Sequence, residues 1–183
     1  MRLALELAEE AARDGEVPVG AVIVKGDEVI SMGRNRREKE KNALCHAELE
    51  AINLACRKLG GWRLWECELY VTLEPCPMCT GAIINARIPK VYFGASDAKA
   101  GSCGSVADLL SLPYNHKAEV VPGLMEKECA EILRRFFSNL RERQKARGRV
   151  RNWKGKHGSA LTAKSEEASQ EKPLNYTKIG GKQ

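Results

Sequence analysis

Two short segments restrict this chain more than anything else in its 183 residues: Cys45-His46-Ala47-Glu48 and Glu74-Pro75-Cys76-Pro77-Met78-Cys79. A Cys-x-x-Cys alone fits a redox pair or half of a structural zinc site. A redox pair expects a thioredoxin-like setting, which this Pro-rich turn resembles only loosely. A structural site needs four protein ligands. There is no second Cys-x-x-Cys, but Cys45 and Cys103 remain candidates for a fourth ligand.

Joined to His46-x-Glu48, with 29 residues between the histidine and the first cysteine, the pattern narrows. Both segments fall where the chain enters a helix, so both can converge on one point. His46, Cys76 and Cys79 then supply three zinc ligands and leave the fourth position open, the arrangement of a catalytic site. Zinc brings the pKa of a bound water down to about 7. Glu48 is too close in sequence to His46 to share the ion comfortably, and is suited to move protons between water and a leaving group. Cys76 and Cys79 start a helix, whose dipole favours thiolates.

The rest of the pattern must bring those helix starts together. Apolar residues recur at helical spacing over residues 1–14, with Leu3, Leu7, Ala8 and Ala11 on the inward face. Val17 to Lys25 and Glu28 to Met32 form a hairpin across Gly26-Asp27. Residues 34–42 are polar and read as a loop. Helices follow over 46–59 and from Pro75 past Ala86, and again from Met125 to about Lys145; strands fall at 67–73, 90–95 and 119–121. The order predicts an α/β fold, a five-stranded mixed sheet with helices on both faces. Strands separated by helices are expected to be parallel neighbours. The apolar pattern stops after residue 147, so residues 1–147 form the domain and 148–183 a basic tail, read as disordered over 155–183.

The net charge of +6 belongs to that tail: residues 141–183 carry 12 Lys and Arg against 4 Asp and Glu. No apolar run is long enough for a membrane helix, and the N-terminus lacks an export signal. With seven cysteines, an odd number, reduced thiols in a cytoplasmic protein are expected rather than a disulfide framework.

His-x-Glu with Pro-Cys-x-x-Cys is the signature of zinc nucleobase deaminases. Beyond it, Val17-Pro18-Val19-Gly20-Ala21, Gly33-Arg34-Asn35-Arg36, Tyr70-Val71-Thr72-Leu73 and Phe93 to Gly101 occur in order. Over residues 1–140 the chain resembles the bacterial tRNA-specific adenosine deaminase family. The resemblance implies a three-layer α/β/α cytidine-deaminase-like fold, a homodimer with one zinc per subunit, and conversion of wobble adenosine to inosine in a tRNA anticodon stem-loop. It gives His46, Cys76 and Cys79 to zinc and Glu48 to proton transfer. Asn35 would hydrogen-bond the flipped base and Asp97 would lie near its sugar, although each also suits a plain turn or cap.

Phe136-Phe137, flanked by Arg134, Arg135, Arg141 and Arg143, reads either as core packing with solvated charge or as an RNA contact, with Phe137 near the substrate. The tail would add nonspecific RNA affinity. Cys45 stands where the family has a small residue and is read as buried rather than ligating; Ser96 replaces a residue that is often basic. Trp62 and Trp65 are read as packing, with a dimer contact as the other reading. Two further functions compete: a deaminase of a free nucleobase or nucleoside, which shares both zinc segments, and a non-catalytic RNA-binding module, which would lack Glu48.

Overall fold

The structure is a computed structural model that describes the backbone of residues 1–157 and the side chains of residues 1–146. Helix α1 (Arg2–Arg13) fully buries Ala4, Ala8 and Ala11. That stripe of methyl groups lets strand β1 (Gly20–Lys25) come so close that a Cβ on Gly20 would overlap the Ala4 carbonyl. Leu3, expected on the inward face, is exposed, because the helix rests on its alanines. Strand β2 (Glu28–Arg34) returns from β1 as the predicted hairpin, with a register shift at Ile23/Val24.

The sheet order is β2-β1-β3-β4-β5, with β3 at Cys67–Leu73, β4 at Lys90–Ala95 and β5 at Glu119–Val121. Strand β1 is antiparallel to both β2 and β3, whereas β3, β4 and β5 run parallel. This corrects one expectation. Strands β2 and β3, which flank a helix, do run in the same direction, but β1 lies between them. The hairpin inserts its first strand into the middle of the sheet, so both edges of β1 are hydrogen-bonded.

Helices α3 (Ala47–Leu59) and α4 (Pro77–Ala86) cover the face that carries Ala21, Ile23, Leu69, Val71 and Val91. Ser31 Oγ donates to the Ala51 carbonyl at 2.7 Å, fixing α3 on the hairpin. On the opposite face, α1 meets Gly20 and α5 (Glu126–His157) places Cys129 against Gly94. The result is the predicted three-layer α/β/α arrangement around a five-stranded mixed sheet. Residues 37–40, read as loop, form a short helix α2 (Arg37–Glu40). A single turn of 3-10 helix spans Leu109–Ser111.

Residues Met1–Glu142 make one compact unit and Arg143–Gln183 a second. Helix α5 extends to His157, beyond the point where the apolar pattern ends. The segment 158–183, which contains most of the stretch read as disordered, lies outside the described residues. Among the described residues no helix is long and apolar enough to cross a membrane. Trp62 and Trp65, read as packing, are 50% and 61% exposed. The Arg63 guanidinium lies 3.8 Å from the Trp62 ring centre and 5.6 Å from that of Trp65.

Candidate metal centre and substrate cleft

Two helix starts and one strand end build the site. His46 is the N-cap of α3 and Cys76 the N-cap of α4, with Pro77 at the first helical position fixing the turn. Cys79 follows one turn later and is fully buried. The two helices lie on the same face of the sheet, so their N-termini meet beside the C-terminal end of β3. His46 Nδ1 is 3.5 Å from Cys79 Sγ and 3.7 Å from Cys76 Sγ.

These spacings test the metal reading directly. Tetrahedral zinc with Zn–S near 2.3 Å and Zn–N near 2.0 Å has an S···N edge of about 3.5 Å. All three donor atoms lie within 4.8 Å of one another, and no fourth residue joins them among the described residues. Cys45, read as buried, is only half-buried, and its thiol is not among the grouped donor atoms. Cys103 Sγ faces Thr80 Oγ1 at 3.6 Å instead. The donor set therefore fits zinc with an open position.

Charge in this corner is unevenly distributed. The Cys79 thiol, with the His46 ring behind it, holds the Cys76 pKa at about 4, so Cys76 is the ready thiolate. Cys79, which donates that bond from a buried position, is pushed well above the usual thiol range. Hydrogen bonding to the Cys76 sulfur raises the His46 pKa. Glu48 is 4% exposed, and burial pushes its pKa up from the usual carboxylate range. A carboxyl group biased toward its protonated form is suited to hand a proton on as well as accept one.

A cleft of about 200 Å³ opens from this corner. Val17, Asn35, Glu48, Glu74, Asp97 and Ala100 contribute to its walls, and Arg37 adds a cation. Asn35 and Asp97, singled out from the sequence, are thus gathered around the donor atoms. The Asn35 amide is buried and pinned, its Nδ2 donating to the Val17 carbonyl at 3.2 Å. Asp97 Oδ1 accepts from Lys99 N at 2.9 Å, the local cap anticipated for it. Phe137 stands apart: it is not among the lining residues, is 39% exposed on α5, and packs edge-on against Phe136 at 5.4 Å.

Two further residues organise the walls and were not given roles from sequence. Glu16, fully buried after α1, accepts from Lys39 N at 2.7 Å and Glu38 N at 3.1 Å, capping α2 from outside. Its Oε2 also lies 3.5 Å from Asn35 Nδ2. Glu74, at the end of β3, gathers backbone N–H groups from residues 97, 103 and 105. Glu16 carries no local sign of burial in sequence, because its partners are 19 to 23 residues away.

Comparison with known proteins agrees with this geometry. A family model described as MafB19-like deaminase matches residues 1–141. The tRNA-specific adenosine deaminase of Bacillus subtilis is 48% identical over 147 residues, covering 80% of this chain and 91% of that protein. A solved structure from a study of A-to-I editing by tRNA:A34 deaminases at the wobble position superposes with a TM-score of 0.71. It is 46% identical and covers 73% of this chain and 97% of its own. The guanine deaminase of Bacillus subtilis is more distant, with a TM-score of 0.52 at 35% identity, covering 67% of this chain and 82% of its own. By family model, sequence identity and superposition, on the cytidine-deaminase-like fold with the metal corner intact, this chain belongs to the tRNA-specific adenosine deaminase family.

Proposed function

We propose that the protein hydrolyses adenosine to inosine, with release of ammonia, at the wobble position of a tRNA anticodon. The observation that carries this reading is the convergence of His46, Cys76, Cys79 and buried Glu48 at one end of a cleft the size of a single base. His46, Cys76 and Cys79 would hold one zinc per subunit. Zinc bound there supplies an acidified water as nucleophile at neutral pH.

The remaining steps fall to the chain. Glu48 takes a proton from the attacking water and delivers it to the adenine ring as C6 becomes tetrahedral. It then carries the second proton to the departing amino group, so that water is consumed and ammonia leaves. Asn35 offers its pinned amide to the purine edge, and the Asp97 wall flanks the sugar. An anticodon loop presents an unpaired base, which costs less to extrude than a paired one. Exposed Phe137, with Arg134, Arg135 and Arg141 on the same helix, would meet RNA outside the cleft. The deaminase domain is residues 1–147, and the basic tail from 148 adds nonspecific affinity. A homodimer in the cytoplasm, beside its tRNA, completes the reading.

A tRNA carrying wobble adenosine, incubated beside free adenosine, adenine, guanine and cytosine, tests it. Inosine in the tRNA alone is expected. Ammonia from a free base with the tRNA untouched would keep the zinc chemistry and overturn the substrate.

A further inference from the structure

Glu74 is 2% exposed, yet no step above uses it. Its Oε1 accepts from Cys103 N and Ser105 N, each at 3.0 Å. Its Oε2 accepts from Asp97 N at 3.0 Å and from the Ser105 hydroxyl. Four donors therefore fill the four lone-pair positions of one carboxylate. Gly101 passes so close that a Cβ there would overlap the carboxyl group.

Residues 97–105 contain no helix or strand. Beyond the carboxylate, this wall is tied mainly by Ser102 N to the Pro75 carbonyl at 2.9 Å, turns within the loop, and the isolated bridge Cys103–Asp108. The loop is wrapped around one anion. Asp97 and Ala100 from this loop line the cleft, and so does Glu74. Glu74 also stands two residues before Cys76, so the loop's anchor is joined covalently to the metal corner.

We propose that Glu74 is a positioning residue: it fixes the Asp97–Ser105 wall over the cleft relative to the metal corner, and so governs how well the target nucleotide fits. This deepens the deaminase reading and rests on it. The role is exerted on substrate binding, not on proton transfer, because Glu74 spends its acceptor positions on the loop.

Glutamine at this position keeps the shape but turns one oxygen into an N–H donor. It would face N–H groups and leave at least one of them unpaired. The test compares holoenzyme of Glu74→Gln and Ser105→Ala with the parent, using an anticodon stem-loop bearing wobble adenosine. Zinc content and amide hydrogen exchange are measured alongside. For Glu74→Gln, KM should rise about tenfold with kcat changed less than about twofold and zinc stoichiometry intact. The amides of Asp97, Cys103 and Ser105 should exchange faster, while those of β3 and α4 stay protected. Ser105→Ala, which leaves the residue beside the metal segment untouched, should move KM in the same direction by about threefold.

A fall in kcat at constant KM, loss of zinc from Ser105→Ala, or unchanged exchange at the three loop amides would overturn the proposal. A parent enzyme inert on the stem-loop would instead overturn the substrate reading. The exchange data would still decide whether Glu74 anchors the loop.

Discussion

The metal corner and the wall that faces it are built by opposite means. In the corner, each donor is fixed by regular structure: His46 and Cys76 cap helices, and Cys79 sits one turn into α4. The wall at 97–105 has almost no regular structure and takes its shape from one buried carboxylate. Two cysteines make the contrast chemical. Cys76 is held at about pKa 4, mainly by the Cys79 thiol and the His46 ring, whereas burial pushes Cys103 in the wall up to about 11. Chemistry is thus committed to the rigid part, and fit to a part that can be reshaped without moving the donors.

That division can be broken in several places. The largest effect should come from Cys76→Ala: with two of three donors left, zinc stoichiometry and activity should both fall to background, and a strong chelator should do the same to the parent. Next is Glu48→Gln, which should cost about 10²–10⁴ in kcat while zinc remains bound, the usual worth of a positioned proton carrier. Activity within tenfold of the parent would remove Glu48 from the role given to it.

Gly101→Ala asks whether the wall is as tight as it looks. The added methyl must displace either the Glu74 carboxyl group or the loop, and KM should rise with little change in kcat or zinc content. Alkali is a gentler probe. Cys103 has its folded pKa raised above the unfolded one, so the stability of its neutral form is complete below about pH 8.5 and is lost as pH climbs towards 11. Cys103→Ala should flatten the fall of Tm with pH in that window. Smallest of all is Trp65→Ala at the other end of β3, where an exposed ring 5.6 Å from Arg63 is worth less than about 1 kcal/mol. A larger loss of stability would show that this surface is not solvent-facing in solution.

The two regions also differ in how much of them could be read in advance. His46, Glu48, Cys76 and Cys79 lie in two contiguous motifs, and helix capping places them with no knowledge of the sheet. The strands and the three layers were equally legible, since their apolar patterns are local. Strand order was not: nothing in residues 20–25 says that they take a second neighbour more than forty residues later. Glu16 and Glu74 were given no role because a buried carboxylate looks like a surface one until its distant donors arrive. Trp62 and Trp65 misled for the opposite reason, since large aromatics usually bury themselves. Residues 37–40 looked like loop because their helix is capped by Glu16 from another segment.

The central position of β1 bears on how the chain is assembled. After the hairpin forms, Ala21-Val22-Ile23-Val24 offers an open hydrogen-bonding edge that only β3 closes. On a ribosome that partner emerges late, with all of α3 in between. During this interval the segment is an apolar β edge of the kind that recruits other chains. Helix α1, already synthesised, can rest its alanine stripe on one face of the hairpin but leaves that edge open. Yield of folded enzyme should therefore depend on synthesis rate and chain concentration, with losses concentrated before residue 73 has joined the sheet.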